Sequence, residues 1–345
     1  MPICVFLAQV VLGKSFFTKL QILRYRLLGI EQYVIDPDRE YGKLAQSVDG
    51  IIFQLGPSSK TFINVLDIRE ESIEENSGYL ATKIGRLIGF FKLIFGNLNE
   101  EEKALLEEKL IETYKEKGIT FDDNTLYKDG NFKTTFDMPK LEDLYRVLGK
   151  DEKTKSMQTK LIPFVKGSLK FFNEYTNLEL ENKLIIADIY DLGEENIKYG
   201  MYIFIELFFD KIKKNRDVRK AIYMDEIWQL IGITANKEVA SFIYKIFKTI
   251  RKYGGSSVAI TQDISDLFSL DDGAYGKSIL NNSSIKTFFS LEEENILVLS
   301  QFTNLSEKEK VEIRSLKRGE CLMFAGDEHI LTKIESSNFE EELIS

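Results

Sequence analysis

The chain has 345 residues, of which 43% are hydrophobic and 29% are charged, and its formal net charge is −9. This balance is ordinary for a soluble globular protein of one or two domains. No apolar run reaches the roughly 18 residues that a membrane-spanning helix needs. The acidic balance gives the chain as a whole no strong attraction for nucleic acid.

Cysteine and histidine are too few for two common kinds of site. Cys4 and Cys321 are the only cysteines, and His329 is the only histidine. This set excludes a Cys/His zinc site and argues against a disulfide framework, so a reducing compartment, the cytoplasm, fits best. The apolar run at residues 3–12 is short and lacks a basic flank, which argues against a signal peptide.

The pattern of apolar residues divides the chain into three zones. Residues 1–79 alternate short strands with helical periods, and residues 184–345 return to this pattern, which predicts a mostly parallel sheet with helices on its faces. Residues 80–183 have helical spacing, and we interpret them as an all-helical insertion. Here Asn99 is the expected N-cap of a helix and Gly118 its expected C-terminal stop. The predicted class is an α/β fold whose core is formed by the first and third zones.

The stretch before the first predicted helix matches the end of a phosphate-binding loop. Gly13, Lys14 and Ser15 fit the last part of the pattern G-x-x-x-x-G-K-[ST]. The helix that begins there would offer backbone N–H groups to phosphate oxygens, so Gly13, Lys14, Ser15 and Phe16 are the predicted nucleotide-binding residues. Lys14 would neutralise the β- and γ-phosphates, and the Ser15 hydroxyl would bind Mg²⁺.

The first half of this loop departs from the pattern. Ala8 occupies the position of the first glycine, and Val10 and Val11 lie in a turn where glycine would accept positive φ. Strain of about 1–3 kcal/mol per residue would oppose closure round a phosphate. We therefore expect weak ATP binding, and the alternative is a plain strand–turn–helix junction.

A second motif, KAIYMDEIWQLIG, is an apolar strand that ends in two carboxylates. Burying such a pair is costly unless the charges have a role. In P-loop ATPases an Asp at this place holds Mg²⁺, and a neighbouring Glu orients or deprotonates the attacking water. We predict Asp225 as a metal ligand and Glu226 as a catalytic residue; the alternative is the acidic N-terminus of a helix.

Other polar residues lie next to predicted strands. Gln262 follows the strand SSVAIT and is expected to sense the γ-phosphate or position water, with a helix N-cap region as the alternative. Arg251 is expected to act as an arginine finger on a neighbouring subunit's nucleotide, with a surface charge as the alternative. Asp36 and Glu40 follow the second strand and are candidates for contacts with water or Mg²⁺, with a local turn as the alternative.

These motifs, in this order, resemble the C-terminal ATPase domain of the large conjugal-transfer ATPases. These are the TraC/TrsE-like, or VirB-four, class of type IV secretion ATPases, related to the FtsK and HerA motors. The resemblance extends over nearly the whole chain, helical insertion included. Among the segments that carry it are GKSFFTKLQILRYRLLGIEQYVIDPDREYGKL, AIYMDEIWQLI and RKYGGSSVAITQDISDLF.

The resemblance implies a RecA-like P-loop NTPase core that uses ATP and Mg²⁺. It also implies a hexamer in the cytoplasm, at the inner face of the membrane, with channel components as partners and a role in channel or pilus assembly and substrate transfer. It assigns Lys14 and Ser15 to the phosphate loop, Asp225 and Glu226 to the Walker B pair, and Gln262 to the Gln motif.

The sequence departs from this family at two places. The chain starts one strand before the loop, so we expect the family's N-terminal domain to be absent. The family's loop reads G-T-S-G-x-G-K-S, which residues 8–12 do not reproduce. Ala-Gln-Val-Val can be encoded as GCA CAA GTG GTT. If the preceding codon ends in G, the reading frame that starts one base earlier is GGC ACA AGT GGT, which encodes Gly-Thr-Ser-Gly. We hypothesise a local frameshift here, which the gene sequence would test.

Two other functions remain open from the sequence. The first is a DNA translocase of the HerA/FtsK type, in which a basic pore contacts DNA inside an acidic hexamer. The second is a truncated relic that keeps the fold without hydrolysing ATP. Salt-dependent DNA binding would favour the first, and stabilisation by Mg²⁺-ATP would argue against the second.

Overall fold

The computed structural model describes residues 2–7, 13–72, 78–232, 236–262 and 264–344. The chain forms two compact units. The first comprises Met1–Phe53, Leu180–Ile189 and Lys214–Ser345, and the second comprises Gln54–Glu179 and Tyr190–Lys213. The second unit therefore begins before residue 80, where the sequence placed the insertion, and it also includes residues 190–213.

Strands account for most of the core of the first unit. In chain order the strands are β1 Cys4–Leu7, β2 Glu31–Asp36, β3 Ile51–Gln54, β4 Tyr127–Lys128, β5 Asn131–Phe132, β6 Leu184–Asp188, β7 Lys220–Met224, β8 Gly255–Thr261, β9 Ile285–Phe288, β10 Glu320–Ala325 and β11 Glu328–Lys333. In the described ranges β4 and β5 form a small hairpin, and the others form one sheet in the order β11-β10-β9-β1-β8-β7-β2-β6-β3.

The centre of this sheet is parallel and its β11 end is antiparallel. β1 pairs with β8 and β9, and β7 pairs with β2 and β8, all in parallel. Every residue of β1, β7 and β8 is buried, as expected for strands covered on both faces. Because parallel strands end at the same edge, the residues that follow β2, β7 and β8 are gathered there, at the carboxyl end of β1.

The strands expected from the sequence are confirmed, and three of the described strands, β4, β5 and β11, were not predicted. β11 follows β10 in an antiparallel hairpin, in which Ala325 pairs with Glu328 across a Gly326-Asp327 turn. Gly326 has a φ of 66°, which glycine accepts easily. A Gly-Asp dipeptide between two strand-like runs is the hairpin signal that would have found it.

Helices complete both units. In chain order they are α1 Lys14–Leu27, α2 Gly42–Ser47, α3 Tyr79–Phe95, α4 Glu100–Glu116, α5 Leu141–Leu148, α6 Lys155–Lys160, α7 Ile162–Val165, α8 Ile197–Lys213, α9 Trp228–Ile231, α10 Lys237–Thr249, α11 Ile264–Leu267, α12 Ala274–Asn282, α13 Glu293–Ser300, α14 Glu307–Ser315 and α15 Asn338–Ile344. In the described part of the chain, no helix has the length and apolar character that crossing a membrane requires.

The second unit contains α3 to α8, and the β4–β5 hairpin is a feature that the sequence did not predict. Its centre holds an ion-pair network between α3 and α8. Lys83 Nζ lies 2.8 Å from Glu206 Oε1, and Arg86 Nη1 lies 2.9 Å from Asp210 Oδ1. Burial would raise the pKa of both carboxyls, but nearby cations outweigh it and lower both pKa values. These cations are Lys83, Arg69 and Arg86 for Glu206, and Arg86, Arg69 and Lys213 for Asp210. Removing one partner from such a network leaves a buried charge uncompensated.

The predicted ends of α4 are confirmed. Asn99 Oδ1 accepts from the backbone N–H of Glu102 at 2.9 Å, and Glu102 Oε2 accepts from the backbone N–H of Asn99 at 2.9 Å. This is a capping box, which satisfies two backbone donors at the start of the helix. The helix ends at Glu116, and Gly118 then takes a φ of 67°.

We expect Asn99→Ala to lower the free energy of unfolding by about 1 kcal/mol, because the substitution removes the side-chain acceptor of the cap. Chemical denaturation followed by circular dichroism would measure the change. Glu107→Ala, at an exposed position of the same helix, is the control and should shift the value by less than about 0.5 kcal/mol. An equal loss in both variants would contradict the capping role.

Candidate active site

The two sequence motifs meet at the carboxyl edge of the parallel strands. Lys14 begins α1 after β1, and Asp225 and Glu226 follow β7 directly. Lys14 Nζ donates to Asp225 Oδ1 at 2.9 Å and also donates to Glu226 Oε1. One lysine ammonium is therefore shared between the two carboxylates that the sequence singled out.

Gly13 forms the bend between the phosphate-loop region and α1. Its φ is 142°, and a Cβ atom at this position would lie 3.1 Å from Phe289 Cε1. The positive φ and this close contact both favour glycine here. Phe17 N donates to Gly13 O at 2.8 Å, and the N–H groups of residues 14–16 lie in the first turn, where a helix supplies no acceptor. The Phe16 side chain packs against the apolar core, which leaves its backbone N–H as its route to a nucleotide.

Both oxygens of Asp225 are held by donors. Oδ1 accepts from Lys14 and, at 3.0 Å, from the backbone N–H of Glu226. Oδ2 accepts from the Tyr41 hydroxyl at 2.7 Å. Asp225 is 1% exposed, so protein groups rather than bulk water fix the orientation of this carboxylate.

Glu226 is buried in a strained backbone conformation. Its φ is 49°, in the left-handed region that residues other than glycine rarely adopt. Its Oε1 accepts from Lys14, and its Oε2 accepts from Trp228 Nε1 at 2.7 Å. Strain of this kind costs about 1–3 kcal/mol and is concentrated at functional sites.

The ion pairs decide the protonation of this cluster. Burial lowers the pKa of Lys14, but the charges of Asp225 and Glu226 outweigh it and raise the pKa above its ordinary value. Burial raises the pKa of Glu226, Lys14 opposes this shift, and repulsion from Asp225 adds to it, so the net shift is upward. A buried Glu with a raised pKa is better suited to accept a proton than an exposed one.

Asp36 holds a turn. Its Oδ1 accepts from Glu40 N at 2.9 Å and its Oδ2 accepts from Tyr41 N at 3.0 Å. Burial raises the pKa of Asp36 to about 7, against these two donors. This geometry favours the local-turn interpretation of Asp36 over a direct contact with water or Mg²⁺. Arg39, in the same turn, donates to Asp188 Oδ2 at 2.7 Å.

The remaining predicted residues lie at opposite ends of β8. Gln262 follows the last residue of β8, between β1 and β7, and so lies at the same edge as Lys14. Arg251 is exposed in the single turn before β8. The length of β8 separates it from that edge by roughly 20 Å, so it does not join the cluster of its own chain. The predicted loop residues 8–12 lie outside the described part of the chain.

Sequence reasoning gave no role to Tyr41 and Trp228, although both lie inside segments that carried the resemblance. Each donates one hydrogen bond to a carboxylate of the cluster. Trp228 could have been found, because it is the sole tryptophan and lies two residues after Glu226. Tyr41 could not, because its hydroxyl reaches a residue 184 positions away.

The residues of this edge fit Mg²⁺ bound to a nucleotide. Mg²⁺ keeps several waters and takes one or two carboxylates together with phosphate oxygens, rather than a cage of protein ligands. Ser15 in the first turn of α1 and Asp225 after β7 are the oxygen donors on either side of Lys14. The described residues contain no group of three or more His, Cys, Asp or Glu side chains arranged to hold a metal ion.

We expect Lys14→Met to destabilise the protein by about 3–5 kcal/mol near neutral pH, because it leaves two buried carboxylates without their cation. The pKa of Glu226 is already raised, and without Lys14 it rises further. A carboxyl whose pKa is raised in the folded state binds a proton there before it does in the unfolded state, so lowering the pH favours the folded state. The loss of unfolding free energy in Lys14→Met should therefore be largest near about pH 8 and smaller near about pH 5. Urea denaturation at both pH values would measure it.

The double variant Lys14→Met/Glu226→Gln is the control for this experiment. It removes one of the two carboxylates that need the cation, so it should be more stable than Lys14→Met alone at the higher pH. A loss in Lys14→Met that does not change with pH would contradict the shared ion pair.

Comparison with known proteins places this geometry in context. The TraG P-loop domain matches residues 5–324. VirB4 of Thermoanaerobacter pseudethanolicus superimposes with a TM-score of 0.90 at 28% identity, covering 99% of this chain and 91% of that chain. The plasmid coupling protein TrwB, in complex with ADP and Mg²⁺, superimposes with a TM-score of 0.60 at 13% identity over 97% of this chain and 86% of that chain.

A shorter match is found with Protein TraC of Escherichia coli (strain K12), which is 26% identical over 121 residues. The aligned part amounts to 34% of this chain and 14% of TraC. The chain thus matches only a small part of the length of that protein. At 13% identity, the likeness to TrwB shows the fold alone.

Proposed function

The chain belongs to the TraG P-loop domain family, and from this membership we propose that it is the ATPase motor domain of a conjugation or type IV secretion apparatus. It would hydrolyse ATP to drive channel or pilus assembly and substrate transfer. The observation that carries the proposal is the Lys14 ammonium shared between Asp225 and Glu226 at the carboxyl edge of the sheet.

The resemblance to the conjugal-transfer ATPases and the RecA-like P-loop NTPase fold are both confirmed. The family and its neighbours do not favour the alternative of a HerA/FtsK-type DNA translocase. A Mg²⁺-bound nucleotide as ligand is supported by TrwB, which shares this fold and has been solved in complex with ADP and Mg²⁺. For this chain, we propose ATP with Mg²⁺ as the ligand and transfer of a substrate as the outcome.

ATP binding would begin with an exchange of partners at Lys14. In the structure the ammonium is neutralised by Asp225 and Glu226. The β- and γ-phosphates would compete for it, and the N–H groups of the first turn of α1 would bind the same oxygens. The Ser15 hydroxyl and the Asp225 carboxylate would hold Mg²⁺ and its water. When bound, Mg²⁺ neutralises charge that develops on the phosphates.

Release of Lys14 would free Glu226 for catalysis. Its Oε1 loses a donor, while Trp228 still holds Oε2. Its raised pKa suits a residue that orients the attacking water and accepts a proton from it. Gln262, at the end of the neighbouring strand, would contact the γ-phosphate or the same water. The motor would thus be ready for in-line attack only after the nucleotide has displaced the lysine.

Arg251 would act on a different copy of the chain. It is exposed and lies at the amino end of β8, away from the Lys14 cluster of its own subunit. An arginine in that place suits contact with a neighbour's nucleotide in a ring, where it would stabilise negative charge in the transition state. We therefore include a homo-hexamer at the inner face of the cell membrane, with channel components as its partners, in the proposal.

We expect Glu226→Gln to keep nucleotide binding and lose ATP turnover, because the amide preserves the shape but cannot accept a proton. Phosphate release at saturating Mg²⁺-ATP would measure turnover, and calorimetry would measure binding. Glu107→Gln is the control, since Glu107 lies at an exposed position of α4 and makes none of the cluster contacts above. Turnover at the parental rate in Glu226→Gln would move the water-positioning role to another residue.

The loop itself provides the second test. Replacing Ala8, Gln9, Val10 and Val11 by Gly-Thr-Ser-Gly should tighten Mg²⁺-ATP binding at least tenfold, or about 1.4 kcal/mol. The reason is that glycine accepts the positive φ that a phosphate cradle needs and valine resists it. Calorimetry on both versions would decide. Equal affinities would mean that the loop works as written, and no binding in either version would overturn the proposed function.

A further inference from the structure

We propose that Tyr41 is a positioning residue for the Mg²⁺-bound nucleotide, acting through Asp225. The proposal rests on the proposed function, because it concerns the same edge of the sheet. Tyr41 follows β2, the strand beside β7, and its hydroxyl donates to Asp225 Oδ2 at 2.7 Å. Neither the sequence motifs nor the ion-pair geometry alone assigns it a role.

The tyrosine is fixed at both ends. Its side chain is fully buried and belongs to the same apolar core as Leu44 and Ala45 of α2. Its backbone N–H donates to Asp36 Oδ2 at 3.0 Å, and Asp36 also binds the backbone N–H of Glu40. The turn after β2 is thereby tied to the end of the strand, and the Tyr41 hydroxyl is held against Asp225 with little freedom to move.

The importance of this contact changes when a nucleotide binds. In the structure, Asp225 is oriented by Lys14, by the Glu226 backbone and by Tyr41. Once Lys14 has turned to the phosphates, the Glu226 N–H on Oδ1 and the Tyr41 hydroxyl on Oδ2 remain. Tyr41 would then be the one side-chain donor of these three that still fixes the plane of the carboxylate with which Asp225 would hold Mg²⁺ and its water.

Tyr41 is suited to this task as a permanent donor. A phenolic hydroxyl has an ordinary pKa of about 10, so at physiological pH it carries its proton and donates a hydrogen bond. A protonated hydroxyl beside the metal carboxylate orients it without competing as an anionic ligand. Loss of such a supporting hydrogen bond typically weakens metal affinity by about 10–100-fold.

Tyr41→Phe removes this donor and keeps the ring. ATP affinity would be measured by calorimetry with Mg²⁺ and with a chelator, in the chain as it is and in the Gly-Thr-Ser-Gly loop version. We expect Mg²⁺-ATP binding to weaken about tenfold, while Mg²⁺-free ATP binding changes by less than about twofold. A merely structural role would weaken both forms alike.

Tyr33→Phe is the matched control. Tyr33 is also a fully buried tyrosine next to this turn in sequence, and its hydroxyl donates to Glu31 Oε2 at 3.3 Å, away from Asp225. We expect Tyr33→Phe to leave the difference in affinity between Mg²⁺-ATP and Mg²⁺-free ATP unchanged. Asp225→Asn, which alters the metal carboxylate itself, should reduce that difference at least as much as Tyr41→Phe does.

The outcomes separate this inference from the proposed function. If Asp225→Asn reduces the Mg²⁺ effect and Tyr41→Phe does not, the positioning role of Tyr41 is wrong and the proposed function stands. Equal weakening of both forms of ATP in Tyr41→Phe also overturns the inference. If neither version of the loop binds ATP, the proposed function and this inference are both overturned.

Discussion

A single lysine ammonium between two buried carboxylates is the interaction on which the functional edge of this molecule depends. Asp225 and Glu226 are 1% and 3% exposed, so neither charge is stabilised by bulk water. One cation cannot neutralise two anions, and the carboxylates are further stabilised by hydrogen bonds from Tyr41, Trp228 and a backbone N–H. The polar groups around this edge are thus a consequence of placing two acids at the end of a buried strand.

The same interaction links the nucleotide-free and nucleotide-bound states of the proposed motor. A phosphate that captures Lys14 removes the cation from Glu226 and changes the charge of the cluster in one step. Nucleotide binding is therefore coupled to the release of Glu226 from its ion pair, because the Lys14 ammonium cannot pair fully with a phosphate and with Glu226 at the same time. The strained backbone of Glu226 makes the turn after β7 a place where such a change could be accommodated.

The sequence predicted much of this arrangement because it rests on local patterns. Buried apolar strands, the Asn99 cap and the Gly13-Lys14-Ser15 motif are each readable within a few residues. Contacts made by side chains far apart in the sequence were beyond those patterns, as were the limits of the second compact unit. Tyr41 reaches Asp225, and Asp36 turns out to hold the turn that presents Tyr41. Arg251 precedes β8 and so lies at its amino end, and the parallel pairing of β8 with β1 and β7 shows that the cluster lies at the opposite end.

The indole of Trp228 makes the cluster visible to spectroscopy. It is the sole tryptophan of the chain, and its N–H donates a hydrogen bond to Glu226. Glu226 is one of the two carboxylates from which Lys14 would separate when a nucleotide binds. Tryptophan emission from the protein therefore arises from one place, next to the proposed base. Occupancy of the phosphate site, protonation of the glutamate and opening of the turn after β7 would each alter the surroundings of this fluorophore. The molecule carries its own optical probe, and no label is needed to follow these events in time.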